Sequence, residues 1–313
     1  DTGWAFDLER FVPAFFRNLD LRVRQLRDLG IEADVILFHP YDRWGFAKLP
    51  REIEHRYLRY VAARLSACRN VWWSFANEWN LLHREIADWE QYARIVQEWD
   101  PANHLRGIHN LGPCYDHRRP WVTHVSYQGH PDKVTELMNE YGKPVVIDEC
   151  CYEGDVPEGW GNISGFELTT RFWHAFTQGG ACGHGETYRH PQDILWWSKG
   201  GTLHGQSPER LRFFREIIEA DTSAPFVSYA GANGFVTQND TVLIGFTYNH
   251  QPCEVRVTLP EGKTYACEII EPWEMTRTPV AGSFEGKAVV AMPVKPYLVV
   301  RFEAVERQGG LHR

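Results

Sequence analysis

Two apolar runs, each ending in a carboxylate, constrain this chain more than any other feature. Val71-Trp72-Trp73-Ser74-Phe75-Ala76 has Ser74 as its one polar residue and gives way to Asn77-Glu78-Trp79-Asn80. Pro144-Val145-Val146-Ile147-Asp148-Glu149 repeats the arrangement. A continuous apolar run of this length suits a parallel strand covered on both faces. Carboxylates just past the C-terminal ends of such strands are where barrel enzymes carry their chemistry. For Glu78 alone, a helix cap or a surface acid on a βα loop is an equally good reading. The second strand-end acid, about seventy residues further on, favours a working pair.

The chain around these runs alternates between strand and helix. Phe15, Phe16, Leu19, Val23, Leu26 and Leu29 recur at helical spacing, and Gly30 is a natural stop. Ala33 to Phe38 reads as a buried strand, and Ile53, Tyr57, Val61 and Leu65 mark the next helix. A helix from Ala87 to Trp99 stops at Asp100-Pro101, and another carries Val134, Leu137, Met138 and Tyr141 on one face. Ser164-Gly165-Phe166-Glu167 reads as a capping box. Ala181 to Thr187 reads as a final strand, and the last helix has Ser207 as cap and Pro208 at its first position.

A βαβα series implies a parallel sheet with helices outside it. Strands are read near 33, 71, 106, 122, 144 and 181. A closed barrel has eight. The expected fold is therefore α/β: a (β/α)8 TIM-type barrel lacking its first two strands, followed by a small antiparallel β-sandwich. From Phe226 onward short alternating runs are punctuated by Gly, Asn, Asp and Pro, as in Asn239-Asp240 and Pro260-Glu261-Gly262. The expected domains are a barrel over 1–222, a sandwich over 223–305 and a tail over 306–313. The six strands are expected to form an incomplete barrel unless an upstream segment or an oligomeric partner completes it. The sandwich is expected to be a structural cap, with carbohydrate binding through Trp273 as the lesser alternative.

Composition narrows the function. The chain has 313 residues, 43% of them hydrophobic, and a formal charge of -8 with its acids scattered. That balance argues against a nucleic-acid or anionic-membrane partner. No run is long and apolar enough to span a bilayer. The seven cysteines have no zinc-like spacing and read as reduced thiols, Cys150 and Cys151 being adjacent. A cytoplasmic location is expected, although residue 1 opens in mid-pattern and a leader could precede it. The counts of Trp 13, Tyr 13 and Phe 17 are high; much of this aromatic content fills core, and Trp44, Trp79, Trp160, Trp196 and Trp197 are each either core or a platform for a sugar ring.

The two glutamates suit one reaction in particular. Glycosidic cleavage needs an acid to protonate the leaving oxygen and a carboxylate to attack the anomeric carbon or activate water there. Glu78 and Glu149 could supply both. Asn77 is a candidate ligand for a sugar hydroxyl. Tyr127, at the end of a strand, is a candidate donor to Glu149. His39, His109 and His184 also fall at strand ends and, with Glu186, Trp44 and Trp196, complete the candidate substrate-binding set. Each histidine taken singly reads better as a structural residue. As a group they favour a polar pocket. Glu186 is a second candidate nucleophile if the strand assignment slips by one unit.

Trp73-Ser74-Phe75-Ala76-Asn77-Glu78 resembles the fourth-strand Asn-Glu motif of the clan GH-A glycoside hydrolases. Pro144 to Glu149 is similar to their seventh-strand nucleophile motif, and Tyr127 matches their sixth-strand tyrosine. Leu37-Phe38-His39-Pro40-Tyr41-Asp42, Gly183-His184-Gly185-Glu186-Thr187 and Trp273-Glu274-Met275 resemble the apiosidase-like branch, over about residues 13 to 303. The resemblance implies a retaining (β/α)8 enzyme with Glu78 as acid/base and Glu149 as nucleophile. A retaining pair would lie about 5 Å apart. It implies an oligo- or polysaccharide substrate and no cofactor or metal. Two rivals remain at this point. One is a non-catalytic carbohydrate-binding barrel, motivated by the two strands unaccounted for. The other is a metal-dependent hydrolase built on His39, His109 and His184, for which no His-x-His or His-Glu-x-x-His spacing is present.

Overall fold

The computed structural model describes residues 6–42, 44–192, 194–195, 202–220 and 224–305. Trp196, Trp197 and the 306–313 tail lie outside the described residues. In chain order the larger elements begin with α1 (Pro13–Asp28), β1 (Ala33–Ile36), α2 (Arg51–Leu65), β2 (Val71–Ser74), α3 (Ile86–Trp99), β3 (Arg106–Gly107), β4 (Val125–Gln128) and α4 (Val134–Tyr141). Next come β5 (Val145–Glu149), β6 (Glu153–Gly154), α5 (Gly165–Thr177), β7 (Ala181–Cys182), β8 (Glu186–Thr187), β9 (Arg189–His190), β10 (Ile194–Leu195) and α6 (Ser207–Ile218). The rest is β: β11 (Val227–Ser228), β12 (Phe235–Gln238), β13 (Val242–Phe246), β14 (Glu254–Thr258), β15 (Thr264–Glu271), β16 (Thr276–Phe284), β17 (Lys287–Ala291) and β18 (Val299–Val305). The chain divides into two compact units, Asp1–Gln128 with Met138–Pro144, and Gly129–Leu137 with Val145–Arg313.

In the first unit β1, β2 and β3 form a parallel sheet, with Ala33 beside Val71 and Trp73 beside Arg106. Trp73, Phe75 and Ala76 are fully buried, as their apolar run requires. They share a core with Leu58, Val61 and Leu65 of α2 and with Trp89, Tyr92 and Val96 of α3. Each such fully buried leucine or valine contributes about 1.5–3 kcal/mol. Gly30, at φ +75, ends α1, with Ile31 N–H bonding back to Leu26 O. The short β3 is stabilised from outside the ladder. Buried Arg106 donates to Trp121 O, Asn103 Oδ1 and His104 O. At Gly107 a Cβ would sit 2.8 Å from His124 Nε2, so only glycine lets β3 and that imidazole approach.

In the second unit β5 and β7 pair in parallel, Val146 beside Ala181 and Ile147 beside Cys182. β6 and β8 form a second parallel pair. The strand expected over 181–187 is therefore two short strands, because the glycines of Gly183-His184-Gly185 let the backbone leave the ladder between them. β11, β12, β13, β18, β15 and β16 build a six-stranded sheet in that order, and β14 pairs with β17. Val257, Val290 and Met292 share one core with Leu243, Tyr265 and Phe302 of the larger sheet. Trp173 of α5 and Phe214 of α6 join Val236, Ile244 and Val299 in a separate core.

Two caps differ from the sequence expectation. Ser164 accepts from Glu167 N–H as read, but the Glu167 carboxylate turns to Arg171 (2.7 Å) and does not close the box. A reciprocal capping box forms instead between Glu85 and Asp88. α6 is capped at Gln206 rather than Ser207, and its free N–H groups are taken by a distant side chain, Glu153. No helix among the described residues is long and apolar enough to cross a membrane.

Candidate active site

Glu78 stands four residues past β2. Its φ of 49° and ψ of 58° place it in the left-handed region, which costs a side-chain-bearing residue about 1–2 kcal/mol. Backbone contacts on either side hold it there. Asn77 N–H donates to Phe38 O (2.9 Å) beyond β1, His109 N–H to Ala76 O (3.0 Å) and Trp79 N–H to His109 O (2.9 Å) beyond β3. Glu78 N–H donates to His109 Nδ1 at 3.2 Å. Burial pushes His109 down to about 4, so near neutral pH its ring is uncharged and can accept that hydrogen bond.

Glu78 is 5% exposed. Tyr41 donates its hydroxyl to Oε2. The Gln128 amide, oriented by the acceptors around it, donates to Oε1 (3.3 Å) and to Asn110 O (2.8 Å). Asn110 Oδ1 takes Gln128 N–H (3.4 Å), and Asn110 Nδ2 donates to Gly112 O (2.7 Å). A carboxylate with a donor on each oxygen cannot rotate freely, which is what proton transfer to a fixed atom requires. Asn77 is half-buried, His39 is exposed, and Trp44 is 47% exposed with its N–H on Asp42 Oδ1 (2.7 Å). Tyr127 lies half-buried on β4.

Glu149 is the last residue of β5 and is half-buried; its carbonyl takes Gly129 N–H at 2.9 Å. Within the same unit, Tyr152 donates a side-chain hydrogen bond to it. Burial, reinforced by the charge of Glu149, raises the Tyr152 hydroxyl far above its ordinary value, so it stays a donor. The ring is placed by Trp160, which meets it edge-on at 6.1 Å, and by Gly185, where any Cβ would collide with ring carbons. Tyr152 carries no signal in the sequence, since Cys150-Cys151-Tyr152 fits neither period of an element.

Glu186 and His184 are engaged within the second unit. The Glu186 oxygens accept N–H groups from His204 (2.7 Å) and Gly205 (3.0 Å). His184 Nε2 lies 3.4 Å from Ser207 Oγ and 4.0 Å from Glu186 Oε1. Beside them Glu153, 1% exposed, accepts from Gln206 N–H (2.7 Å), Ser207 N–H (3.0 Å), Ser207 Oγ (2.6 Å) and Tyr188 Oη (3.0 Å). Burial alone would raise its pKa. The Ser207 hydroxyl and these N–H groups outweigh that and hold it below the ordinary value. A groove of about 610 Å³ along α6 is lined by Phe172, Leu211 and Phe214 and reaches His184, but Glu149 does not line it. Trp273 is covered by Arg210, 4.3 Å above its ring, which leaves that face closed to a sugar. Among the described residues no three His, Cys, Asp or Glu side chains come together as a metal-ligand set.

The family profile of the apiosidase-like catalytic domain matches residues 2–214, and that of a domain of unknown function, DUF5605, matches 231–303. A Bacteroides vulgatus protein named as a candidate glycoside hydrolase is 34% identical, with a TM-score of 0.86 over 96% of this chain and 65% of that one. The chain thus spans 65% of the length of that relative. A protein described simply as a glycoside hydrolase is 14% identical, with a TM-score of 0.72 over 97% of this chain and 79% of its own. A family 5 glycoside hydrolase from Bacteroides vulgatus is 13% identical, with a TM-score of 0.70 over 92% of this chain and 74% of its own. These last two share the fold. No curated protein matches the chain.

Proposed function

The chain belongs to the apiosidase-like catalytic-domain family, and from that premise we propose that it hydrolyses a β-type glycosidic bond by double displacement. In this reading Glu78 is the acid/base and Glu149 the nucleophile. The observation that carries it is a shared local chemistry. Each glutamate follows or ends a parallel strand, and each receives a hydrogen bond from a tyrosine of its own unit, Tyr41 for Glu78 and Tyr152 for Glu149.

The steps follow from the two carboxyl groups. Glu149 attacks the anomeric carbon as the glycosidic C–O bond breaks, and Glu78 gives its proton to the departing oxygen. A glycosyl ester of Glu149 results. Water then attacks the same carbon, Glu78 takes the proton, and Glu149 leaves with net retention. Tyr152 holds Glu149 oriented for attack, and Gln128 and Tyr41 hold Glu78. Asn77, Tyr127, His39, Trp44 and Trp196 are proposed to contact an oligo- or polysaccharide. His109 and Glu186 act through their backbone partners, and His184 is a lesser sugar contact.

A panel of aryl β-glycosides of pentoses and hexoses tests the reading, with proton NMR of the first-formed sugar. Release of the β-anomer first is expected. The α-anomer first, or release undiminished in Glu149→Gln, would overturn it.

A further inference from the structure

The Tyr41–Glu78 contact is made between two loops, one after β1 and one after β2, and a single side chain joins them. Tyr41 is 64% exposed, so no core surrounds its ring, and the backbone that carries it sets where its hydroxyl lies. Asp42 folds that backbone. Its Oδ1 accepts Trp44 N–H (2.7 Å) and its Oδ2 accepts Ala47 N–H (2.6 Å), which closes the loop onto the turn Phe46–Lys48. Arg84 grips this turn from the other loop. It lies six residues past Glu78, and its guanidinium donates to Ala47 O at 2.8 Å.

The same guanidinium nitrogen also donates to Glu54 of α2. Glu54 is fully buried, and the Arg84 side chain is nearly so. Glu54 further accepts from Arg51 Nη1 (3.0 Å) and from the Tyr92 hydroxyl of α3. Arg51 pairs in turn with Asp88, which accepts Glu85 N–H (2.9 Å) at the start of α3. A carboxylate held by these three donors is a fixed anchor for Arg84. Neutralising Glu54 does not explain the bond to Ala47 O, because Arg51 already pairs with that carboxylate.

We propose that Arg84 is a positioning residue for the acid/base. By tying Ala47 O to the loop that follows Glu78, it holds Tyr41 where its hydroxyl meets Glu78 Oε2. The inference deepens the proposed hydrolysis and rests on Glu78 as its acid. Without the brace the loop after β1 drifts and the Tyr41 hydroxyl leaves Oε2. The Glu78 carboxyl then loses a donor and is less often aimed at the departing oxygen. A displaced sugar contact would slow every substrate alike. A misplaced acid slows those whose leaving oxygen needs a proton.

The test compares kcat/KM, which reports the first chemical step, on two aryl glycosides of one sugar, with a poor and an activated leaving group. Arg84→Met keeps the stem and removes the donors, and Tyr41→Phe removes the hydroxyl. Each is expected to lose roughly tenfold on the poor leaving group and far less on the activated one. The double variant should lose no more than the worse single one, since both act through one hydrogen bond. Equal losses on the two substrates, or losses that multiply in the double variant, would overturn the proposal. Glu78→Gln is measured beside them. If it does not separate the two leaving groups, the acid/base reading fails and this inference with it. If it does and Arg84→Met does not, the brace alone fails. If Arg84→Met does not fold, the same cycle is run in Glu54→Gln, where removing Arg84 leaves no unpaired carboxylate.

Discussion

Tyr152 donates a hydrogen bond to Glu149 from three residues further along the chain, although β5 has ended between them. Close spacing in sequence does not produce the contact. It requires the chain to turn back through Cys150 and Cys151, and Gly185 to leave room for the ring. Tyr152→Phe keeps the ring and removes the donor. A hydrogen bond to a charged group contributes about 1.5–3 kcal/mol. The variant should lose roughly tenfold to a hundredfold in kcat with KM little changed. Steady-state kinetics on an aryl glycoside checks this, and an unchanged kcat would remove Tyr152 from the positioning role.

Gly185→Ala approaches the same contact from the other side. The new methyl meets the Tyr152 ring carbons, so the ring must move. The expected result is a loss of kcat at least as large as in Tyr152→Phe, with a lower thermal midpoint. A variant as active and as stable as the parent would show that the ring has room to spare.

Glu78→Gln should separate leaving groups. Removing a general acid costs about 10²–10⁴ in rate when the departing oxygen needs its proton. With an activated aryl group that departs unaided, the first step should be nearly normal and the slow step should become hydrolysis of the ester. A pre-steady-state burst of aryl alcohol is the expected signature. Equal losses on activated and unactivated substrates would argue against the acid/base role.

Glu153→Gln should be a stability lesion. The carboxylate satisfies two N–H groups at the start of α6 and two hydroxyls, Ser207 and Tyr188. An amide would turn an N–H₂ toward some of those donors. A loss of about 3 kcal/mol is expected, read as a lower urea midpoint at constant m-value. The folded pKa of Glu153 is depressed, so its contribution is present above the unfolded value near 4.3 and lost as pH falls through the folded one.

Acid should weaken the first unit earlier than its carboxylates alone imply. Burial pushes His109, His117 and His124 down to about 4, against about 6.5 in an unfolded chain. Between those values the unfolded state binds more protons, so stability falls as pH drops from about 6.5 toward 4. Each histidine adds up to about 1.4 kcal/mol per pH unit to that slope. Urea midpoints at pH 7, 6 and 5 should fall steadily, and a flat profile would contradict the neutral, buried imidazoles.

Local periodicity made much of the architecture legible. The helical spacing through Phe16 and Val23 predicts a helix over 13–29, and α1 spans Pro13–Asp28. β16 was not legible. Thr276–Phe284 is an edge strand with most residues exposed and Pro279 within it, so it shows no alternation. The start of α6 lies one residue from where the sequence points, for a different reason: Ser207 looks like a local cap, but its hydroxyl bonds Glu153.

What the sequence by itself determined was the alternation of elements and the placing of Glu78 just beyond β2 and of Glu149 at the end of β5. Both follow from hydrophobic period, which acts over a few residues and can be read along the chain. Only the tertiary structure decided what surrounds the two acids. Tyr41 reaches Glu78 across 37 residues, Gln128 comes from β4, and Glu153 caps a helix that begins 54 residues later. Such partners are selected by three-dimensional packing and by the cost of leaving a buried polar group unpaired, which leave no period in the sequence.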